Sequence, residues 1–109
     1  MDSDSRYESI ITSIVGVAVY QVEGVAALST DSGKSFSGKL FRGTGKSVLV
    51  TTLKDNQVII DISINAYYGH KIPDLAYNVQ NKVKEEVEKA TNYKVKSVNI
   101  SVVGVVFPS

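Results

Sequence analysis

From Val58 to Phe107 the apolar residues change their spacing twice, and no other feature limits the folds open to this chain so strongly. In Val58 to Ala66 (VIIDISINA), Val58, Ile60, Ile62 and Ile64 alternate with Ile59, Asp61, Ser63 and Asn65. A period of two marks a strand with one face buried and the other wet. After Tyr67-Tyr68-Gly69-His70-Lys71 the spacing turns helical, and Ile72, Leu75, Ala76, Val79, Val83, Val87 and Ala90 form one stripe. Asn78, Asn81, Lys82, Glu85, Glu88 and Lys89 face away from it, with Glu85 and Lys89 spaced for an i,i+4 ion pair. Pro73 suits a first helical turn, where its missing N–H would be unpaired anyway. Asn92 can take the left-handed cap, so the helix is expected from Ile72 to about Thr91. From Lys94 to Phe107 the period returns to two, with Val98, Ile100 and Val102 on one side and Asn99, Ser101 and Val103 on the other. A strand, a helix and a strand joined by short connections predict a crossover that sets the two strands parallel.

The first half supplies the remaining elements. Ser47 to Leu53 (SVLVTTL) is rich in β-branched residues and meets Val58–Ala66 across the polar turn Lys54-Asp55-Asn56-Gln57, which reads as a hairpin. Ile10, Ile14, Ala18 and Val22 recur every four residues, Ile11 and Val15 widen the stripe, and Thr12, Ser13, Gly16, Tyr20 and Glu23 take the other side. That predicts a helix closing at Glu23-Gly24, after a tail of residues 1–8 and before a short strand at Val25–Leu28. Residues 30–45, rich in glycine and serine, read as a flexible loop. Asp61, Ser63 and Asn65 on one strand, and Asn99 and Ser101 on another, would give the sheet a wet outer row. Both helices then belong on the opposite face. The expectation is one α+β domain spanning 1–109, a two-layer α/β sandwich in which two helices pack on one face of a small mixed sheet.

Composition narrows the chemistry. There is no cysteine and a single histidine, which excludes a disulfide framework, a thiol nucleophile, a thiolate metal site and a histidine-rich one. Twelve basic and eleven acidic residues leave a formal net charge of +1, without the excess a non-specific nucleic-acid binder uses against phosphate. The apolar stretch Ile10 to Val22 is thirteen residues long, against about 20 for a membrane span. The acidic, serine-rich start is unlike a secretory signal. A cytoplasmic chain without direct membrane insertion is expected.

Individual motifs favour no reaction. Gly45-Lys46-Ser47 resembles the end of a phosphate-binding loop, but Leu40 stands where the first glycine belongs and the following residues read as strand. Gly69-His70-Lys71-Ile72 lacks the last glycine of an RNA-clamping loop. His70 has Asp74 four residues on but no serine in a nucleophile elbow, and Asp61 has no second carboxylate nearby. No catalytic, metal-binding or cofactor-binding residue is expected. Tyr67 and Tyr68 read as a plug at the mouth of the sheet, with a contact shelf as the alternative. Ile59, Val103, Val105 and Phe107 are expected to share the outward row and make an interaction surface, the alternative being that Phe107 folds back onto the core.

The order of several phrases carries a resemblance over about residues 9–107. Val22-Glu23-Gly24-Val25 closes the first helix, and Val58-Ile59-Ile60-Asp61-Ile62-Ser63-Ile64 ends the hairpin. Tyr68-Gly69 with Ile72 follows, then Val79-Gln80-Asn81-Lys82-Val83-Lys84-Glu85-Glu86-Val87-Glu88 and finally Val98-Asn99-Ile100-Ser101-Val102-Val103-Gly104-Val105. Together they resemble the alkaline shock protein 23 family. The resemblance implies a non-enzymatic cytoplasmic protein of Gram-positive bacteria, linked to envelope stress. It also implies protein partners, among them a membrane-anchoring protein that could recruit it to the inner face of the membrane, with self-association open to it as well. Family members often carry a further strand before the first helix, and only MDSDSRYES stands in that place here. The alternative from a different class is a nucleic-acid-binding or regulatory domain, which a basic groove at Lys34, Lys39, Arg42 and Lys46 would favour.

Overall fold

The computed structural model describes residues 2–29 and 47–107, with side chains from Tyr7 onward. Their elements are α1 (Asp2–Tyr20), β1 (Val25–Leu28), β2 (Val48–Leu53), β3 (Gln57–Tyr67), α2 (Ile72–Ala90) and β4 (Lys94–Val106). The fold is α+β with a mixed sheet. β3 is central. β4 runs parallel to it along its full length, from Gln57 opposite Lys94 to Tyr67 opposite Val106, with α2 as the crossover. On the other edge β2 pairs antiparallel with residues 57–62 and β1 with residues 64–66.

β1 and β2 therefore lie end to end along one edge of β3, like a single strand that has been interrupted. Ser63 is the joint. Its carbonyl accepts the Ser29 N–H at 2.9 Å, and its own N–H donates to the Ser47 carbonyl at 2.9 Å. The chain leaves this edge after Ser29 and rejoins it at Ser47 on the same rung; the loop expected at 30–45 lies outside the described residues. The β2–β3 connection is a tight turn in which Asp55 and Asn56 hold φ of 62° and 57°, a conformation these two residue types tolerate best after glycine.

Val58, Ile60, Ile62 and Ile64 are fully buried beneath Leu75, Val79, Val83 and Val87 of α2 and Ile11, Val15, Ala18 and Val19 of α1. Both helices cover one face, as the outer row required. α2 matches its stripe, with Ile72 and Ala90 exposed at its ends. Lys89 pairs with Glu86 at 3.5 Å, one residue short of the expected Glu85 partner.

α1 departs from expectation in three ways. It starts at Asp2, so residues 2–8 are helix and not a tail, and it ends at Tyr20, short of Glu23. Its buried side is also rotated: Ile11, Val15 and Val19 are at 0% exposure while Ile10 stands at 45% and Ile14 is half-buried. One residue is about 100° of helix. Ser9 to Val22 contains no charged residue to mark the wet side. The following turn needs glycine twice over, because Gly24 has φ of 103° and a Cβ there would lie 2.9 Å from His70 Nδ1 and 3.2 Å from Leu75 Cδ1.

The outer row is less wet than its polarity suggests. Asp61 is 3% exposed, Ser63 0% and Ser101 7%. Asp61 and Ser63 stand on β3 in the middle of the sheet, flanked on both sides by neighbouring strands, and Ser101 lies opposite Ser63 on β4. Asn99 Nδ2 donates to Asp61 Oδ1 at 2.9 Å across the β3–β4 pair, which compensates the buried carboxylate.

Candidate docking surface

Two bulges in β4 decide which side chains share a row. Val58 faces Val95 but Ile59 faces Ser97, leaving Lys96 over; Ile64 faces Val102 but Asn65 faces Gly104, leaving Val103 over. Each extra residue breaks the two-residue alternation. Beyond the second bulge Val105 therefore stands opposite Ala66, a core-side residue, and Val106 opposite Tyr67.

The expected surface of Ile59, Val103, Val105 and Phe107 is consequently split. Ile59 is half-buried opposite Ser97, seven residues before the rung that holds Val105. At 3.3 Å per residue that separates them by about 23 Å. Val103 is half-buried at the bulge. Val105 and Phe107, 51% and 69% exposed, sit together at the far end of the sheet.

There they join residues the sequence reading set aside or gave to the core. Tyr67 and Tyr68 are exposed and do not plug the sheet, and Ile72 and Val106 stand exposed beside them. The Tyr68 ring stacks on Phe107 with centroids 4.7 Å apart and planes 28° from parallel. Phe107 thus folds back on an aromatic neighbour and not into the core. Backbone bonds hold the platform from both sides, Tyr67 N–H to the Gly24 carbonyl and Tyr68 N–H to the Val106 carbonyl, each at 2.8 Å. Tyr67, Tyr68, Gly69, His70, Ile72 and Val105 line a shallow hollow of about 380 Å³. α2 begins only at Ile72, so neither helix covers this end. The tandem tyrosines were the visible signal; the bulge that brings Val105 and Val106 to them was not.

Among the described residues this surface has apolar area and ring faces but no paired carboxylates and no nucleophile with a base. His70 is exposed in the turn. Among the described residues no three His, Cys, Asp or Glu side chains come together as metal ligands. Ser47 leads into strand β2, so no helix N-terminus follows Lys46-Ser47 to receive a phosphate. Lys34, Lys39, Arg42 and Lys46 lie outside the described residues. Among those described, no helix is long and apolar enough to cross a membrane.

One electrostatic feature stands at the opposite end of β4. Glu88 Oε2 accepts the Val95 N–H at 2.8 Å, and Oε1 accepts from Lys84 Nζ at 3.2 Å. The backbone bond from Val95 is the largest influence and holds the Glu88 carboxyl below its usual range; burial, next in size, opposes it, and Lys84 and then Lys94 add to the lowering. Nearby, Gln80 Nε2 donates to the Val98 carbonyl at 2.9 Å.

Comparison with known proteins agrees with the phrase order. Residues 5–107 match the model of the alkaline shock protein 23 family, described as having a cell envelope-related function. A Streptococcus pyogenes protein of uncharacterized role, Spy1535, is 34% identical over 97 residues, 89% of this chain and 74% of its own length. A homolog of the stress response regulator gls24, also from Streptococcus pyogenes, is 26% identical over 99 residues; the match spans 90% of this chain but 55% of that relative. Among solved structures, a MamM C-terminal domain superposes with a TM-score of 0.52 over 93% of this chain and 95% of its own, at 11% identity, a likeness of fold.

Proposed function

The chain belongs to the alkaline shock protein 23 family, and from that membership we propose that it is a non-enzymatic stress-response protein of the cell envelope, working as a protein–protein interaction module. The observation that carries the reading is the exposed platform of Tyr67, Tyr68, Ile72, Val105 and Phe107. Large apolar side chains gathered at one end of a small domain are more typical of an interface than of free surface. Aromatic side chains are also the ones that dominate binding energy when a partner desolvates them. The partner is a protein with an apolar anchor for the hollow between Tyr68 and Ile72. A membrane-anchoring protein in that role would hold the module at the inner face of the membrane while it remains cytoplasmic itself.

The test is capture of partners from cytoplasmic and membrane fractions by the wild type and by a Tyr68→Ser, Phe107→Ser double variant. Both substitutions are on exposed residues, so the melting temperature should stay close to wild type. Loss of a specific captured protein from the variant is the expected result. Identical capture by both proteins would overturn the platform's role.

A further inference from the structure

The outer edge of β4 is closed along its first half and open along its second. Consecutive residues of a strand send their backbone groups alternately to its two sides. Gln80 holds the Val98 carbonyl, so Val98 faces the free edge, and Ile100 and Val102 do so too. In the first half Glu88 takes the Val95 N–H, Gln80 takes the Val98 carbonyl, Lys94 and Lys96 add charge, and a bulge falls at Lys96. These are the devices by which proteins keep an edge strand from pairing with another chain. From Ser97 to Phe107 there is no charged residue. Among the described residues no side chain bonds the outward groups of Ile100 or Val102, and their side chains are only partly buried at the rim of the core.

We propose that this open half-edge pairs with the same half-edge of a second copy of the chain, antiparallel across a two-fold axis at Ser101. Main-chain N–H and C=O groups in a row are satisfied by an extended backbone, which makes the occupant a strand. Two-fold pairing sets identical segments against each other, and an uncharged segment does so without like-charge repulsion. In this register Ile100 of one copy faces Val102 of the other, completing the burial of both. The bulge at Val103 ends the ladder, so the dimer is short and concentration-dependent. This edge is distinct from the aromatic platform, and the substitutions below leave the platform intact, so either idea can fail alone.

Sedimentation velocity and amide hydrogen exchange over a wide concentration range test it. Wild type should shift from monomer to dimer as the Ile100 and Val102 amides gain protection. Val102→Pro removes an outward N–H that the β3–β4 ladder does not use, so it should stay monomeric with little change in melting temperature. Ile100→Lys, which sets a charge against Val102 of the other copy and brings the two new ammonium groups diagonally across the two-fold axis, should also remain monomeric. Ser101→Pro, whose N–H faces β3, should instead lower the melting temperature markedly. A wild type that is monomeric at every concentration overturns the proposal. So does a dimer that survives both Val102→Pro and Ile100→Lys.

Discussion

Helices α1 and α2 have the same length, nineteen residues each, and cover the same face of the same sheet, yet one was legible from sequence and the other was misplaced around its axis. α2 alternates its valines with lysines and glutamates, and the ion pairs Lys82–Glu86, Lys84–Glu88 and Lys89–Glu86 run along its wet side. α1 spreads isoleucine, valine, alanine and small polar residues around its circumference and has no charge from Ser9 to Val22. A buried stripe is located mainly by what borders it. Where charge marks the outside, the phase of a helix is fixed to within a residue. Without it, Ile10 and Ile11 are equally good candidates for the core.

The largest effect expected from breaking this contrast is on α1 itself. Ile11→Ala deletes a fully buried side chain and should cost about 3 kcal/mol, whereas Ile10→Ala, at a site 45% exposed, should cost well under half of that. Equilibrium denaturation of the pair measures the rotation of the helix directly, and equal losses would restore the phase read from sequence. Next in size is Val83→Ala on α2, expected at about 2 kcal/mol for a valine-sized deletion at a site with no exposure. A melting curve matching wild type would remove α2 from its position as the main cover of β3.

Smaller still is the effect of giving α1 the mark it lacks. Val17 is 63% exposed and lines a groove with Ile14, Ala18 and Glu86. Val17→Lys should change stability by no more than about 0.5 kcal/mol, with any change favourable because Glu86 is near. A loss several times that size would mean that Val17 is covered in the working state of the protein.

The same reasoning separates the legible parts of the sheet from the illegible ones. The hairpin, the crossover and the parallel pairing of β3 with β4 followed from periods of two and 3.6, because each period persisted for several turns or rungs. The bulges did not follow, since one extra residue in a run of valines leaves the local pattern almost unchanged. Gly104 was the available hint, as glycine inside a strand often marks a bulge or a close approach. A Cβ at Gly104 would lie 2.6 Å from Asn65 Oδ1, a contact no real side chain makes. Missing that residue moved Val105 to the wrong face and merged Ile59 with a surface some 23 Å away at the rise of a strand. Nor could sequence show that Asp61 and Ser63 are buried, because burial at the middle of a sheet depends on both neighbouring strands.

The smallest expected effect concerns the charged side of α2. Glu88 reaches past its own helix to the Val95 N–H, so one of the carboxylates marking α2 as wet also secures the start of β4. Its carboxyl is held below the ordinary range in the folded chain, first by that backbone bond and then by Lys84 and Lys94. A group with a depressed folded pKa contributes stability above its unfolded pKa and loses it as pH falls through the folded value. At neutral pH, Glu88→Gln should therefore melt slightly below wild type. The gap should narrow as the medium is acidified through and beneath the usual carboxylate range, where wild-type Glu88 becomes protonated. The amide cannot reproduce the charge-assisted bond, so a constant gap at all pH values would trace the loss to shape and not to charge. Hydrogen exchange at Val95 sharpens the reading, since its amide should exchange faster in Glu88→Gln at neutral pH while the Val98 region, tied separately by Gln80, stays as in wild type.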